Sequence, residues 1–443
     1  MRAFILNIRS TRLWRLDMTM TPNSTAGHGT ATSAFRQFWA ADIALRLGGR
    51  AWMLALPVIA IEFLQADSRQ IGYLATASTA SYLILGLPAG AWVERMRKRN
   101  VMLSTAVIRA LLLCSIPLLW WLGGLSFSFL LAVTFMIGLA NLFYDTAYQS
   151  YIPLLVGANN TYKANAQIET TARAARAVTP ALLGWAMKTI SAPLLLLIDA
   201  FGHVVSATLL RRVPEVEEKL PAPSSRNLRA ELMEGFRFIR NEPVLWSIAL
   251  AIVFSNFFAT AITTLMPVLV LTHLKLGPGS LGVVYTAGEI GGFLGALLLT
   301  PLRRYFEVGQ MLAGGLLLAA GSTALVPLAM GMPDSSPKLA LGILMLSVFG
   351  TAIGGVTFAV SQISLRQMLC PAALSSRVNA TMRFVIWGTM PAASLLAGAG
   401  AYWLGTIPTL WLAVVGTVLT VLPILSCARY STPQSNGRAL GDG

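Results

Sequence analysis

Three residues in an apolar run near the start of the chain could do chemistry together. Asp42, Arg46 and Arg50 fall at i, i+4 and i+8, on one face of a helix. Asp42 can pair with Arg46, which leaves Arg50 without an acid on its own helix. Ionisable groups in apolar surroundings are costly unless paired or hydrated, so each is a functional candidate. A basic stripe of this kind suits bidentate contact with a carboxylate, catecholate or phosphate. A structural ion pair with another helix is the alternative. Arg109 lies deep in a later run and extends the positive bias. Arg173, Arg176 and Arg383 sit near run ends, where snorkelling to water suffices.

Two carboxylates offer different chemistry. Glu289 stands in the middle of an apolar run, within Ala287-Gly288-Glu289-Ile290-Gly291, and Asp199 stands in another. A desolvated carboxyl suits reversible protonation, so Glu289 is the first candidate for proton coupling and Asp199 the second. A silent carboxyl neutralised by an arginine is the alternative for Glu289. The chain has no P-loop, dinucleotide fingerprint, nucleophile elbow or H-E-x-x-H motif, so no catalytic site or cofactor is expected. Cys114, Cys370 and Cys427, and His28, His203 and His273, are too scattered for a disulfide framework or a metal site.

The elements that must position these groups follow from composition. Of 443 residues, 55% are hydrophobic and only 12% charged, and the mean hydropathy is +0.66. Charged residues normally make up about a quarter of a globular chain, so the surface must face lipid. Twelve apolar runs are long enough to cross a bilayer. Six lie near 36–64, 71–93, 100–123, 126–149, 164–189 and 192–211, and six near 244–271, 279–301, 309–331, 339–364, 382–404 and 406–427.

The predicted organisation is a disordered cytoplasmic leader over 1–34, a six-helix bundle over 35–212, a linker over 213–243, a second bundle over 244–428 and a tail over 429–443. The leader lacks the continuous apolar core of a signal peptide, and Met18 or Met20 would leave a more usual start. In the linker, Leu228, Leu232, Phe236 and Ile239 recur at helical spacing opposite Arg229, Glu234, Arg237 and Arg240. This predicts an amphipathic helix along the membrane surface or, as a plainer alternative, a solvated linker helix.

The net charge of +15 could suggest nucleic-acid binding. Position argues otherwise, because the basic residues border apolar runs on one side. Arg95, Arg97, Lys98, Arg99, Arg211, Arg212, Arg303 and Arg304 fall on one face; Arg69, Lys188, Lys275 and Lys338 alone fall on the other. That asymmetry puts both termini in the cytoplasm.

The halves also repeat. Gln149 and Pro153 recur as Gln367 and Pro371, offset by 218 residues (367 − 149), and Asn165-Ala166 recurs as Asn379-Ala380, offset by 214 (379 − 165). A duplicated six-helix unit accounts for this, as in alternating-access transporters.

The stretch Gly86-Leu87-Pro88-Ala89-Gly90-Ala91-Trp92-Val93-Glu94-Arg95 and the following Arg97-Lys98-Arg99 resemble the loop signature of the major facilitator superfamily. Glu94 stands for the usual Asp, and Arg97 where the pattern has Gly. Trp39 to Pro57, Tyr144-Asp145, Leu197 to Ala200, Glu234-Gly235, Arg377 to Ala380 and Trp387-Gly388 resemble the branch that contains enterobactin and macrolide exporters. The resemblance implies twelve membrane helices in two pseudo-symmetric six-helix bundles, all-α throughout. It also implies a latch of Gly90, Glu94, Arg95, Arg99 and Asp145 that stabilises the outward-facing state, although plain anchoring would account for Arg97 to Arg99. The fourth span carries no Arg and the fifth has Thr179-Pro180 where antiporters often have Gly-Pro, departures that bear on proton coupling.

Together these readings predict a monomeric, multi-pass exporter of a bacterial cytoplasmic membrane. It would be driven by protons and carry a small anionic metabolite such as a siderophore, through Asp42, Arg46, Arg50 and Arg109. Efflux of macrolides or other drugs is the rival, with Trp39, Trp52, Phe254 and Phe257 lining an aromatic cavity. A membrane sensor without turnover is the third reading.

Overall fold

In the computed structural model, residues 28–215, 228–332 and 336–425 are described. The first bundle holds α1 (span Ser33–Phe63), α2 (Ser68–Glu94), α3 (Lys98–Trp121), α4 (Phe127–Val156), α5 (Thr161–Ala186) and α6 (Ala192–Arg212). The linker helix α7 is Leu228–Asn241. The second bundle holds α8 (span Pro243–His273), α9 (Pro278–Leu302), α10 (span Val308–Met330), α11 (Pro337–Leu369), α12 (Ala372–Trp403) and α13 (span Thr406–Ile424).

Ten of these helices are long and apolar enough to cross a membrane, and α2, bent by 68° between Gly86 and Pro88, makes an eleventh. Proline at position 88 cannot donate its backbone hydrogen bond, which accounts for the bend. The remaining member, α5, falls short on composition because it carries Lys163, Glu169, Arg173 and Arg176. It packs along α9 and against α1, so part of its surface faces protein rather than lipid.

Ala34, Phe35 and Phe38 are buried with Tyr151 and Ile152, and the first helix already starts at His28, inside the segment expected to be disordered. This apolar anchor draws the helix start upstream. Residues 1–27, 216–227, 333–335 and 426–443, which hold most of the predicted leader, the predicted tail and part of the predicted linker, lie outside the described residues.

Helix starts have local causes. At α2, Asp67 accepts from the Gln70 amide at 2.7 Å and the Gln70 side chain accepts from the Asp67 amide at 2.9 Å, a reciprocal cap. The halves repeat in backbone detail too. A π-turn at Ile59–Phe63 ends α1, and one at Val268–His273 ends α8. Leu64 donates to Ile59 and Ala66 to Ala60; 210 residues on, Leu274 donates to Leu269 and Leu276 to Val270 (274 − 64). Gln65 and Lys275 then both take a positive φ of 52°.

The bundles meet where α2 runs along α12 and α5 along α9. Glycine permits both contacts. A Cβ on Gly72 would stand 2.8 Å from the Gly398 Cα, and one on Gly282 would stand 2.9 Å from the Gly184 Cα. The two pairs are related by the repeat, Gly72 to Gly282 by 210 (282 − 72) and Gly184 to Gly398 by 214 (398 − 184). All four lie toward the end of the molecule that carries few basic residues. At the other end α7 docks on α12, with Ile239 buried beside Val378 and Met382, and Glu234 paired with Arg377.

Candidate functional site

Alpha-helix α1 breaks at Gly48–Gly49, and the break is pressed against α6. A Cβ on Gly48 would lie 3.1 Å from the Asp199 Cα, and one on Gly202 would lie 2.8 Å from the Ala44 carbonyl. Backbone contact of this kind buries Asp199 and His203 completely, one turn apart on α6. Their closest nitrogen and oxygen stand 3.4 Å apart, yet none of the four polar side-chain atoms has a well-formed hydrogen bond among the described residues. Arg109 of α3 is the charged neighbour of Asp199, and its Nε likewise lacks a hydrogen-bond partner there.

One turn toward the start of α1, Arg46 Nε donates to Asp42 at 2.5 Å, and Arg46 also donates to the Tyr148 hydroxyl at 3.3 Å. Asp42 is 2% exposed and Arg46 28%, so a buried acid is paired with a half-buried base. Tyr148 stacks on Phe38 and Tyr144, which fixes the acceptor. For Arg50 the backbone continues α1, but its side chain lies outside the described residues. Asp145 of α4 accepts from the Tyr82 hydroxyl at 2.7 Å and has Arg109, Arg383 and Arg46 in its electrostatic surroundings. Asp42, Arg46, Arg109, Asp145 and Asp199 therefore share one charged core within the first bundle.

That core touches a cavity of about 350 Å³ between the bundles. Trp52, Thr79, Tyr82, Asn141, Tyr285 and Trp387 are in its wall. Tyr82 of α2 stacks on Trp387 of α12, with centroids 4.4 Å apart and planes 17° apart. Nearby, Arg383 donates to Gln149 at 3.1 Å, again joining α12 to the first bundle. Of the aromatic candidates, Trp52 lines the cavity. Trp39 donates to Thr171 at 3.2 Å, Phe257 meets Phe258 edge to face, and Phe254 is exposed. Tyr82, Asn141, Tyr148 and Tyr285 escaped sequence reasoning, since a neutral polar side chain in an apolar run carries no cost large enough to stand out.

The second interface is ionic. Glu289 of α9 lies 4.0 Å from Arg176 of α5, and Glu169 contacts both Arg176 at 2.7 Å and Arg173 at 3.0 Å. The predicted latch residues fall in separate places. A Cβ on Gly90 would meet nothing within 4 Å, Glu94 and Arg95 are exposed, and the Glu94 carbonyl accepts from Lys98 at 3.5 Å. Arg99 donates to the carbonyls of Leu210 at 3.1 Å and Arg211 at 2.6 Å, satisfying the last turn of α6. Among the described residues, no group of three or more His, Cys, Asp or Glu side chains could hold a metal ion.

Two six-helix bundles around a central cavity define a membrane transporter of the alternating-access kind. The chain belongs to the Major Facilitator Superfamily, whose family model matches residues 39–395. It is similar to the enterobactin exporter EntS of Salmonella choleraesuis, at 26% identity over 360 residues, 79% of this chain and 81% of that protein. It is also similar to the multidrug efflux pump Tap of Mycolicibacterium fortuitum, at 24% identity over 393 residues, 85% of this chain and 93% of that protein. Among solved structures, a bacterial homologue of the iron transporter ferroportin in an inward-facing state superimposes with a TM-score of 0.70. That match has 15% identity and covers 90% of this chain and 99% of the homologue.

Proposed function

We propose that this transporter is a proton-coupled exporter of a small anionic metabolite such as a siderophore. The observation that supports it best is the charged core of the first bundle. Arg109 and Arg46 of that bundle and Arg383 of α12 act electrostatically on Asp145, whose hydrogen bond to Tyr82 connects it to the inter-bundle cavity. Movement of Tyr82 exposes fixed positive charge to a ligand there, and an anion is the ligand such charge favours. Glu289, at the α5–α9 interface beside Arg176, and Asp199, sealed against the break in α1, are the groups that would carry the proton. The protein would act as a monomer in a bacterial cytoplasmic membrane with both termini inside, and closure at the basic-poor end then corresponds to an inward-facing state. Glu94, Arg95 and Arg99 would join Asp145 as a latch only when the other end closes.

Drug efflux is the second reading, and the neutral, aromatic wall of Trp52, Tyr82, Tyr285 and Trp387 favours it. Everted vesicles holding a pH gradient separate the two. Collapse of the gradient by anionic siderophores alone, lost in Glu289→Gln, supports anion–proton exchange. Collapse by cationic or neutral drugs alone moves the assignment to drug efflux. Silence toward both panels from folded protein overturns proton-coupled export of either class.

A further inference from the structure

A second cavity lies within the second bundle. It has a volume of about 360 Å³ and is lined by α8, α10, α11, α12 and α13. It shares Thr263 with the inter-bundle cavity, and Ile386 in its wall is the chain neighbour of Trp387 in the other, so the two spaces abut. Their chemistry differs. The first bundle contributes charge, whereas the second cavity has no ionisable residue in its lining. Its surface is mainly aliphatic, with Phe358 as its aromatic side chain and scattered hydroxyl and amide groups.

Most of those polar groups are already engaged. Ser347 donates to the Ser322 carbonyl at 2.7 Å, Thr323 and Thr351 bond each other at 3.2 Å, and Asn256 donates to the Ile386 carbonyl at 3.0 Å. Gln362 differs. It is 7% exposed, lines the cavity, and its Oε1 has no hydrogen-bond partner among the described residues. That oxygen is sealed from the cavity in this state, so rotation of the side-chain amide is what presents the unpaired acceptor to a donor in the apolar space. The volume falls at the small end of the range for sites that hold drug-sized molecules.

We infer that this cavity is a binding site for an uncharged, apolar ring system bearing a hydroxyl donor, which Gln362 accepts. The transported molecule then spans both spaces, its anionic end toward the first bundle and its apolar end in the second. This rests on the anion reading above and narrows it to amphipathic organic anions, excluding small hydrophilic ones.

Gly355 gives a clean test, because it lines the cavity and a Cβ there would meet nothing within 4 Å. Gly355→Phe should fill the space without clashing with the backbone. Equilibrium dialysis of the purified protein would use benzoate, biphenyl-4-carboxylate, 4′-hydroxybiphenyl-4-carboxylate and the neutral 4-phenylphenol. The hydroxylated biphenyl anion is expected to bind about tenfold or more tightly than benzoate, reflecting the buried ring. Gly355→Phe should remove that advantage and leave benzoate unchanged. Gln362→Leu, a milder change, should weaken the hydroxylated anion and spare biphenyl-4-carboxylate. If both anion sizes bind alike in every form, or neither variant alters the biphenyl advantage, the cavity is not part of the site and the proposal falls. If 4-phenylphenol alone binds and is lost in Gly355→Phe, the second-bundle site stands and the anion reading fails.

Discussion

Tyr82 holds two partners from two directions: its ring stacks on Trp387 of the opposite bundle, and its hydroxyl donates to Asp145 of its own. One side chain thus links the bundle interface to the charged core. A ligand that displaces the ring must also disturb the carboxylate.

Tyr82→Phe separates the two roles. The stack survives, while Asp145 loses its tyrosine donor and keeps its arginine neighbours, at a cost of about 1 kcal/mol for one hydrogen bond. Because the hydroxyl is the link through which ligand displacement reaches the carboxylate, transport should fall, by roughly fivefold for about 1 kcal/mol of lost coupling. Initial-rate measurements in proteoliposomes check this, and a rate equal to wild type would remove the hydroxyl from the mechanism.

The Asp42–Arg46 pair should behave as a unit. Arg46→Gln leaves Asp42 buried and uncompensated, which should destabilise the protein by about 3 kcal/mol. Asp42→Asn combined with Arg46→Gln should recover most of that loss. Thermal unfolding of the purified variants reads both effects. A double variant as unstable as the single one would show that the charges are not what matters.

Glu289→Gln removes the acid at the α5–α9 interface and leaves Arg176 with Glu169. Substrate-evoked proton movement should disappear while substrate exchange, which needs no net proton transfer, persists. Asp199→Asn provides the comparison. Retained proton movement in Glu289→Gln, with its loss in Asp199→Asn, would reassign the coupling to the buried acid on α6.

The contact of Gly72 with Gly398 leaves no room for a side chain. Gly72→Val overpacks it, with a penalty of about 1–3 kcal/mol against the closed form. In a background lacking Cys114, Cys370 and Cys427, a cysteine at Asn141 in the cavity wall should then react faster with a membrane-impermeant maleimide added from the basic-poor side. An unchanged labelling rate would mean that this contact does not hold that end shut.

The parts that sequence revealed were those with a large physical cost. Asp42, Arg46, Arg109 and Asp199 stand out because a charge in an apolar run is expensive, and the structure gathers them in one bundle. The repeat was legible too, since its offset of 214 at Asn165 and Asn379 also relates Gly184 to Gly398. What stayed hidden was cheap or non-local. Tyr82, Asn141 and Tyr285 are neutral, and the stack of Tyr82 on Trp387 joins positions far apart in the chain. The π-turns at Ile59–Phe63 and Val268–His273 leave no mark in hydrophobic spacing, because apolar residues fill either kind of turn. The fifth span was read as an apolar run near 164–189, yet Lys163, Glu169, Arg173 and Arg176 leave the helix less apolar than the other spans.

The paired glycine contacts have a mechanical consequence. Gly72 against Gly398 and Gly184 against Gly282 are two points at which one bundle bears on the other, backbone on backbone. A rigid body held at two points keeps a single freedom, rotation about the line through them. While both bearings stay seated, the basic-rich end can widen or narrow only by swinging about that axis, and neither bundle can slide or twist past its neighbour.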